Sequence, residues 1–133
     1  MKIFVSHGSH DSWIARQMAR CIGECGAEVL IDAYDLESGD DVTERLSGLL
    51  EQANELVVLF TPFSKSRAWV WMEVGVMRLN RKRVVPIFHG MTKRDLAESG
   101  GDGALTGTIE RQLNEFDHYL VELKARIGHA TTL

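Results

Sequence analysis

Short apolar runs alternate along this chain with segments whose apolar residues recur every three or four positions. Residues 2–6 (KIFVS), 28–32 (EVLID), 56–61 (LVVLFT) and 83–88 (RVVPIF) have the length and β-branched content of strands. The run over 56–61 is apolar almost throughout, as expected of a central parallel strand covered on both faces. In the run over 83–88, Pro86 removes a ladder donor and argues for an edge position or a strand end. Helical spacing first shows in Ile14, Met18, Cys21, Ile22 and Cys25, with Asp11 or Ser12 as N-cap and Gly26 as terminator. Val42, Leu46, Leu49, Leu50 and Ala53 mark a second helix; Trp69, Val70, Met72, Glu73, Val76, Met77 and Leu79 mark a third. After His89 the pattern weakens to a helical turn over 92–98 and a flexible connector over 99–103. A last helix is expected over 108–127, with Ile109, Leu113, Phe116, Tyr119, Leu120, Leu123 and Ile127 as its apolar face.

Strands alternating with helices imply right-handed crossovers and a parallel sheet. The expected fold is α/β: a flavodoxin-like three-layer sandwich, strand order 2-1-3-4-5, with helices on both faces. Ligands of such open sheets bind outside the carboxyl ends of the strands, where strand order reverses. That places interest on the loops over 7–11, 33–41 and 62–69.

Composition narrows the picture without naming a chemistry. The chain has 133 residues, 44% hydrophobic and 26% charged, which suits one globular domain. A net charge of −4 gives no overall field for nucleic acid or anionic lipid, so neither is an expected partner. The basic run over 78–83 reads as a solvated helix end, where cations are favoured. Cys21 and Cys25, four apart on one helix face, read as buried thiols in a reducing compartment, not as a disulfide framework or a metal site. No apolar stretch approaches the roughly 20 residues of a membrane span, and Lys2 leads straight into a strand without a leader. The expected location is the cytoplasm.

The loops carry a more specific signal. Ile3-Phe4-Val5-Ser6-His7 with Ser9 and Asp11, Val29-Leu30-Ile31-Asp32 with Asp35-Leu36 and Gly39-Asp40, the run 56–62 with Ser64 and Ser66, Trp69-Val70-Trp71-Met72-Glu73-Val74-Gly75, and Val84-Val85-Pro86-Ile87 follow one another in order. Together they resemble bacterial Toll/interleukin-1 receptor (TIR) domains, contiguously from residue 3 to about 90. Thr61 stands where serine is more common, and Gly8 stands where some members carry a basic residue. The resemblance implies a TIR domain over residues 1–128, with 129–133 a disordered tail or chain edge.

The resemblance further implies cleavage of NAD⁺ between nicotinamide and ribose, with Glu73 catalytic. The products would be nicotinamide and ADP-ribose or a cyclic isomer. The nicotinamide leaves as a neutral molecule from a pyridinium, so no general acid is needed; ordinary glycosidases use two carboxylates because one must protonate the leaving oxygen. One fixed carboxylate can then steady the oxocarbenium-like ribose. Trp69, four residues before Glu73 on the same helix face, would pack against nicotinamide or ribose. His7, Gly8 and Ser9 would supply donors to phosphate or ribose, and Leu36 an apolar wall. Asp35, Gly39 and Asp40 would belong to a loop that gates the site and mediates assembly. NAD⁺ is expected as substrate, with no resident cofactor and no metal. The expected partners are other TIR domains, in a homo-oligomer formed on activation, and a fused or separate sensor domain, in bacterial antiviral defence or signalling.

By residue type alone, a helical glutamate is ordinarily a solvated charge, Trp69 and Trp71 core or interface residues, and His7 and His10 plain loop histidines. A phosphoacceptor receiver domain is excluded by Thr61-Pro62-Phe63, which leaves no aspartate at the third strand's end. A serine hydrolase is excluded because no G-x-S-x-G elbow occurs. A nucleoside deoxyribosyltransferase is nearer in chemistry, but Trp69 to Glu73 and Gly39-Asp40 favour the TIR reading. The alternative of a different class is a non-catalytic TIR–TIR interaction or adaptor module.

Overall fold

The computed structural model describes residues 1–31, 48–65, 68–99 and 101–132. Five parallel strands form one sheet in the order β2-β1-β3-β4-β5. They are β1 (Lys2–Ser6), β2 (Glu28–Ile31), β3 (Glu55–Phe60), β4 (Arg83–Phe88) and β5 (Arg111–Gln112). The helices are α1 (Ser12–Glu24), α2 (helical residues 48–52), α3 (Ala68–Leu79) and α4 (Phe116–Thr132). This is the flavodoxin-like layering expected from the alternation of runs.

Period-two alternation of side chains divides the core in two. Phe4, Leu56, Val58, Phe60, Val84 and Phe88 point to one face, where they meet Leu50 of α2 and Val70, Val74 and Met77 of α3. Ile3, Val5, Val57, Leu59, Val85 and Ile87 point to the other, against Ala15, Met18 and Ile22 of α1 and Phe116, Tyr119 and Leu123 of α4. All six residues of β3 are buried, as its near-continuous apolar run requires of a strand covered on both sides. No helix among the described residues is long and apolar enough to cross a membrane.

Several boundaries differ from expectation, each for a tertiary reason. β3 starts at Glu55 rather than Leu56, because the Glu55 carboxylate is accepted into the sheet by a guanidinium from α4. Arg126 donates to it from Nε at 2.8 Å and from Nη2 at 3.0 Å, and the Tyr119 hydroxyl donates at 3.3 Å. Burial, helped by the Glu55 charge, pushes the Tyr119 phenol well above its ordinary range. Burial works against the charge of Arg126, but the hydrogen bonds and charge of Glu55 outweigh it and hold that proton more firmly than usual.

The helix expected over 108–127 is split. Arg111 and Gln112 pair with Ile87 and Phe88 as β5, residues 113–115 form a 3₁₀ turn, and α4 begins at Phe116 and runs to Thr132. Two residues of ladder carry no periodicity, so β5 could not be separated from the helical pattern beside it. Pro86 is tolerated because β4 begins its pairing with β5 only at Ile87. Asp11 occupies the N-cap position of α1 but makes no side-chain capping bond; it is drawn to Thr61 instead. Cys21 and Cys25 are free and half-buried rather than fully buried, and the Cys25 thiol approaches the Leu120 carbonyl at 3.9 Å.

Candidate active site

The strand order reverses between β1 and β3, and the loops leaving those two strands are tied together. The Thr61 hydroxyl donates to Asp11 Oδ2 at 2.6 Å, joining segments fifty residues apart through a buried bond. Thr61 Oγ1 in turn accepts from the Phe63 backbone N–H at 3.2 Å. Ser64, fully buried, donates to the Leu59 carbonyl at 3.1 Å and accepts from the Thr61 N–H at 2.9 Å. These bonds replace the ladder that β3 loses as it ends, and they fix the turn that launches α3.

Gly8 packs against this turn. A Cβ placed on it would lie 3.1 Å from the Ser64 Cβ, so the first loop approaches the third more closely than a side chain comfortably permits. Its backbone is extended, with φ −83°, so the requirement for glycine is contact and not conformation. His7 is half-buried, with Nδ1 2.8 Å from the Gly8 carbonyl oxygen. Ser9 is exposed at the start of a 3₁₀ turn over Ser9–Asp11. His10 and Phe63 stack across the two loops, with centroids 4.8 Å apart and rings 7° from parallel. Ser6, at the end of β1, is buried, and its hydroxyl has no hydrogen-bond partner among the described residues.

Glu73 is wholly buried, with 0% of its surface exposed. Its position follows from helical arithmetic: Val70, Val74 and Met77 are the core-facing residues of α3, and residue 73 falls on that same stripe. A helical glutamate that served only as a solvated charge would face outward, and ionisable side chains are rarely buried unless they are paired or functional. The helix also carries Trp71, whose indole N–H donates to the Lys65 carbonyl at 2.8 Å and whose ring lies 5.0 Å from that of Phe60. This fastens the first turn of α3 to the loop after β3.

Of the residues expected at the site, His7, Gly8 and Ser9 lie on the loop after β1, and Glu73 lies inside α3. Trp69 lies one turn before Glu73 in the backbone of α3, and its side chain is outside the described residues. Asp35, Leu36, Gly39 and Asp40 also lie outside the described residues. The Asp11–Thr61 bond, the Ser64 staple and the His10–Phe63 stack have no signal in the local sequence pattern. Only their placement at strand ends could have marked them, since each joins loops distant in sequence.

Fold and site together define an open parallel α/β domain with a polar loop cluster at the switch point and a buried carboxylate in the helix beside it. The model of the TIR domain family matches residues 3–120, and the chain belongs to that family. It is 27% identical over 126 residues to the 2′ cyclic ADP-D-ribose synthase BtTIR of Bacteroides thetaiotaomicron, covering 91% of this chain. It is 33% identical over 131 residues to the NAD(+) hydrolase PdTIR of Paracoccus denitrificans, covering 94% of this chain. The chain spans only 44% of the length of each of these relatives. Among solved structures, the TIR domains of the activated Roq1 resistosome superpose with a TM-score of 0.66 at 16% identity, covering 98% of both chains. The TIR domain of the Toll-related receptor TRR-2 of Hydra magnipapillata gives 0.65 at 11% identity, covering 92% of this chain and 97% of that one.

Proposed function

We propose that this domain cleaves NAD⁺ at the bond between nicotinamide and ribose, with the Glu73 carboxylate steadying the cationic ribose. The observation that carries this reading is the complete burial of Glu73 on the inner stripe of α3. Relatives named as an NAD(+) hydrolase and a 2′ cyclic ADP-D-ribose synthase support it. The C1′–N bond breaks with its electron pair passing to the pyridinium nitrogen, so nicotinamide departs neutral. Burial lowers the local dielectric and strengthens the attraction between carboxylate and oxocarbenium. Water attack, with loss of its proton, yields ADP-ribose; attack by a hydroxyl of the same molecule yields a cyclic isomer. NAD⁺ acts here as substrate, and no resident cofactor or metal enters the reaction.

A carboxylate without exposed surface has to meet its substrate by displacement of what covers it. We assign that displacement to assembly with further copies, with Trp69 against the nicotinamide, His7, Gly8 and Ser9 toward phosphate or ribose, and Leu36, Asp35, Gly39 and Asp40 in the gating loop. Turnover per molecule then rises with protein concentration; a specific activity constant across the range in which the protein self-associates argues against this. The reading fits a cytoplasmic effector of bacterial defence or signalling, joined to a sensor domain in the same or another chain.

The test is mass analysis of NAD⁺ products from concentrated protein. Wild type should release nicotinamide, and Glu73→Gln should lose at least about 100-fold, the scale of one electrostatic contributor to a transition state. Retained turnover in a folded Glu73→Gln variant refutes the assignment. The alternative, a non-catalytic TIR–TIR interaction module, would be favoured by absence of products from wild type at every concentration.

A further inference from the structure

The basic run over 78–83 is largely solvated, as expected, with Arg78, Arg81 and Arg83 exposed, and three of its side chains also border a cavity. Arg78, Lys82 and Arg83 line one cavity of about 290 Å³, and Arg111 and Arg126, distant in sequence, complete its cationic lining. The cavity lies along β4 where the sheet is unfinished. β5 pairs only with Ile87 and Phe88, so residues 83–85 have no strand on that side among the described residues. α3 and α4 approach from opposite faces of the sheet, and residues 107–109 close the remaining side.

Charge here runs against the molecule as a whole. The chain carries −4, yet four arginines and Lys82 line the cavity, with two carboxylates nearby, Glu122 in its wall and Glu55 beneath Arg126. The cations are also oriented. Arg78 Nη2 donates to the Thr106 carbonyl at 2.6 Å, and Lys82 Nζ donates to the Leu50 and Glu51 carbonyls at 2.9 and 2.8 Å. The carbonyl holds Arg78 in place without cancelling its charge, whereas the Lys82 ammonium is held on two residues outside the cavity lining. Arg111 meets Glu122 at 2.6 Å, while Arg83, 56% exposed, shares Glu55 with Arg126 at 3.6 Å.

We propose that this cavity binds a small phosphorylated anion of pyrophosphate size, at a site separate from the loop cluster at the strand carboxyl ends. Guanidinium forks match phosphoryl oxygens in geometry and charge, and groups already held in place lose little freedom on binding. An open sheet edge presents unpaired backbone N–H groups as further donors. The volume sits at the lower limit of small-molecule pockets, large enough for two phosphoryl groups. Charges also guard a bare edge against strand pairing. Guarding, however, requires outward charge only, not a shared cavity lined from two helices and two strands.

Titration calorimetry of the intact chain with inorganic pyrophosphate, at constant ionic strength, decides the matter. Saturable one-to-one binding is expected, weakened roughly tenfold or more in Arg83→Gln/Arg111→Gln. Glu122→Gln removes the wall's opposing charge and should tighten binding about threefold. A gain of affinity cannot come from misfolding, so this arm decides if the double variant fails to fold. No saturable heat up to millimolar pyrophosphate, an equal response to sulfate, or affinity unchanged in both variants overturns the proposal. The last outcome would place any bound pyrophosphate at the loop cluster instead. A response to an acidic peptide but none to pyrophosphate overturns it in favour of strand addition at the open edge.

Discussion

Replacing Arg126 by methionine isolates the contact that lets β3 begin on a charge. Methionine keeps most of the aliphatic stem but removes both donors to Glu55, at 2.8 and 3.0 Å, and the cation lying 5.8 Å from the Tyr119 ring centroid. Glu55, with a side chain 5% exposed, would keep the Tyr119 hydroxyl at 3.3 Å and Arg83 at 3.6 Å. Removing one partner of a fully buried pair costs about 3–5 kcal/mol. Arg126 is 23% exposed and Arg83 is free to move closer, so the expected loss is smaller, about 2–3 kcal/mol. For a chain of this size that lowers the melting temperature by roughly 10 °C. Urea unfolding monitored by circular dichroism measures it directly. The double variant Glu55→Leu/Arg126→Met removes the charge together with its partner and should recover most of the loss, ending within about 1–2 kcal/mol of wild type. An Arg126→Met variant within about 0.5 kcal/mol of wild type, or a double variant less stable than the single one, would refute the view that an uncompensated buried carboxylate is the cause.

Two further predictions follow from groups placed by the fold. Because the folded state holds the Tyr119 phenol protonated well above its unfolded value, its contribution is fully present below about pH 10 and is lost as pH rises beyond it, at about 1.4 kcal/mol per pH unit. Unfolding free energies should show no slope from this group between about pH 8 and 9 and approach this slope above about pH 10 in wild type, with its loss in Tyr119→Phe; equal slopes above about pH 10 would contradict it. Thr61→Val leaves Asp11 Oδ2 without its 2.6 Å donor and should cost about 1–3 kcal/mol, while Thr61→Ser keeps the bond and stays near wild type. Loss in Thr61→Ser with none in Thr61→Val would mean that the methyl group, not the hydroxyl, matters.

Periodicity alone settles a good deal about this chain. The runs over 2–6, 28–32, 56–61 and 83–88 mark four strands because an apolar stretch of that length has few other ways to bury itself beside helices. Their alternation with helices makes the sheet parallel, and the ordered motifs through Glu73 mark the family. Position 73 on the stripe of Val70, Val74 and Met77 is also a local property, readable from spacing three and four.

What spacing could not supply is anything that depends on a partner far along the chain. A glutamate can open β3 only because Arg126 arrives from α4, and β5 exists only because two residues find the end of β4. Asp11 bonds to Thr61 instead of capping α1 because the loops after β1 and β3 meet at the switch point. Arg78, Lys82 and Arg83 of the basic run come to border a cavity only because the fold brings Arg111 and Arg126 beside them. Local patterns follow from the geometry of a single helix or strand, whereas charges and polar groups take their roles from whichever distant groups the fold brings within bonding distance.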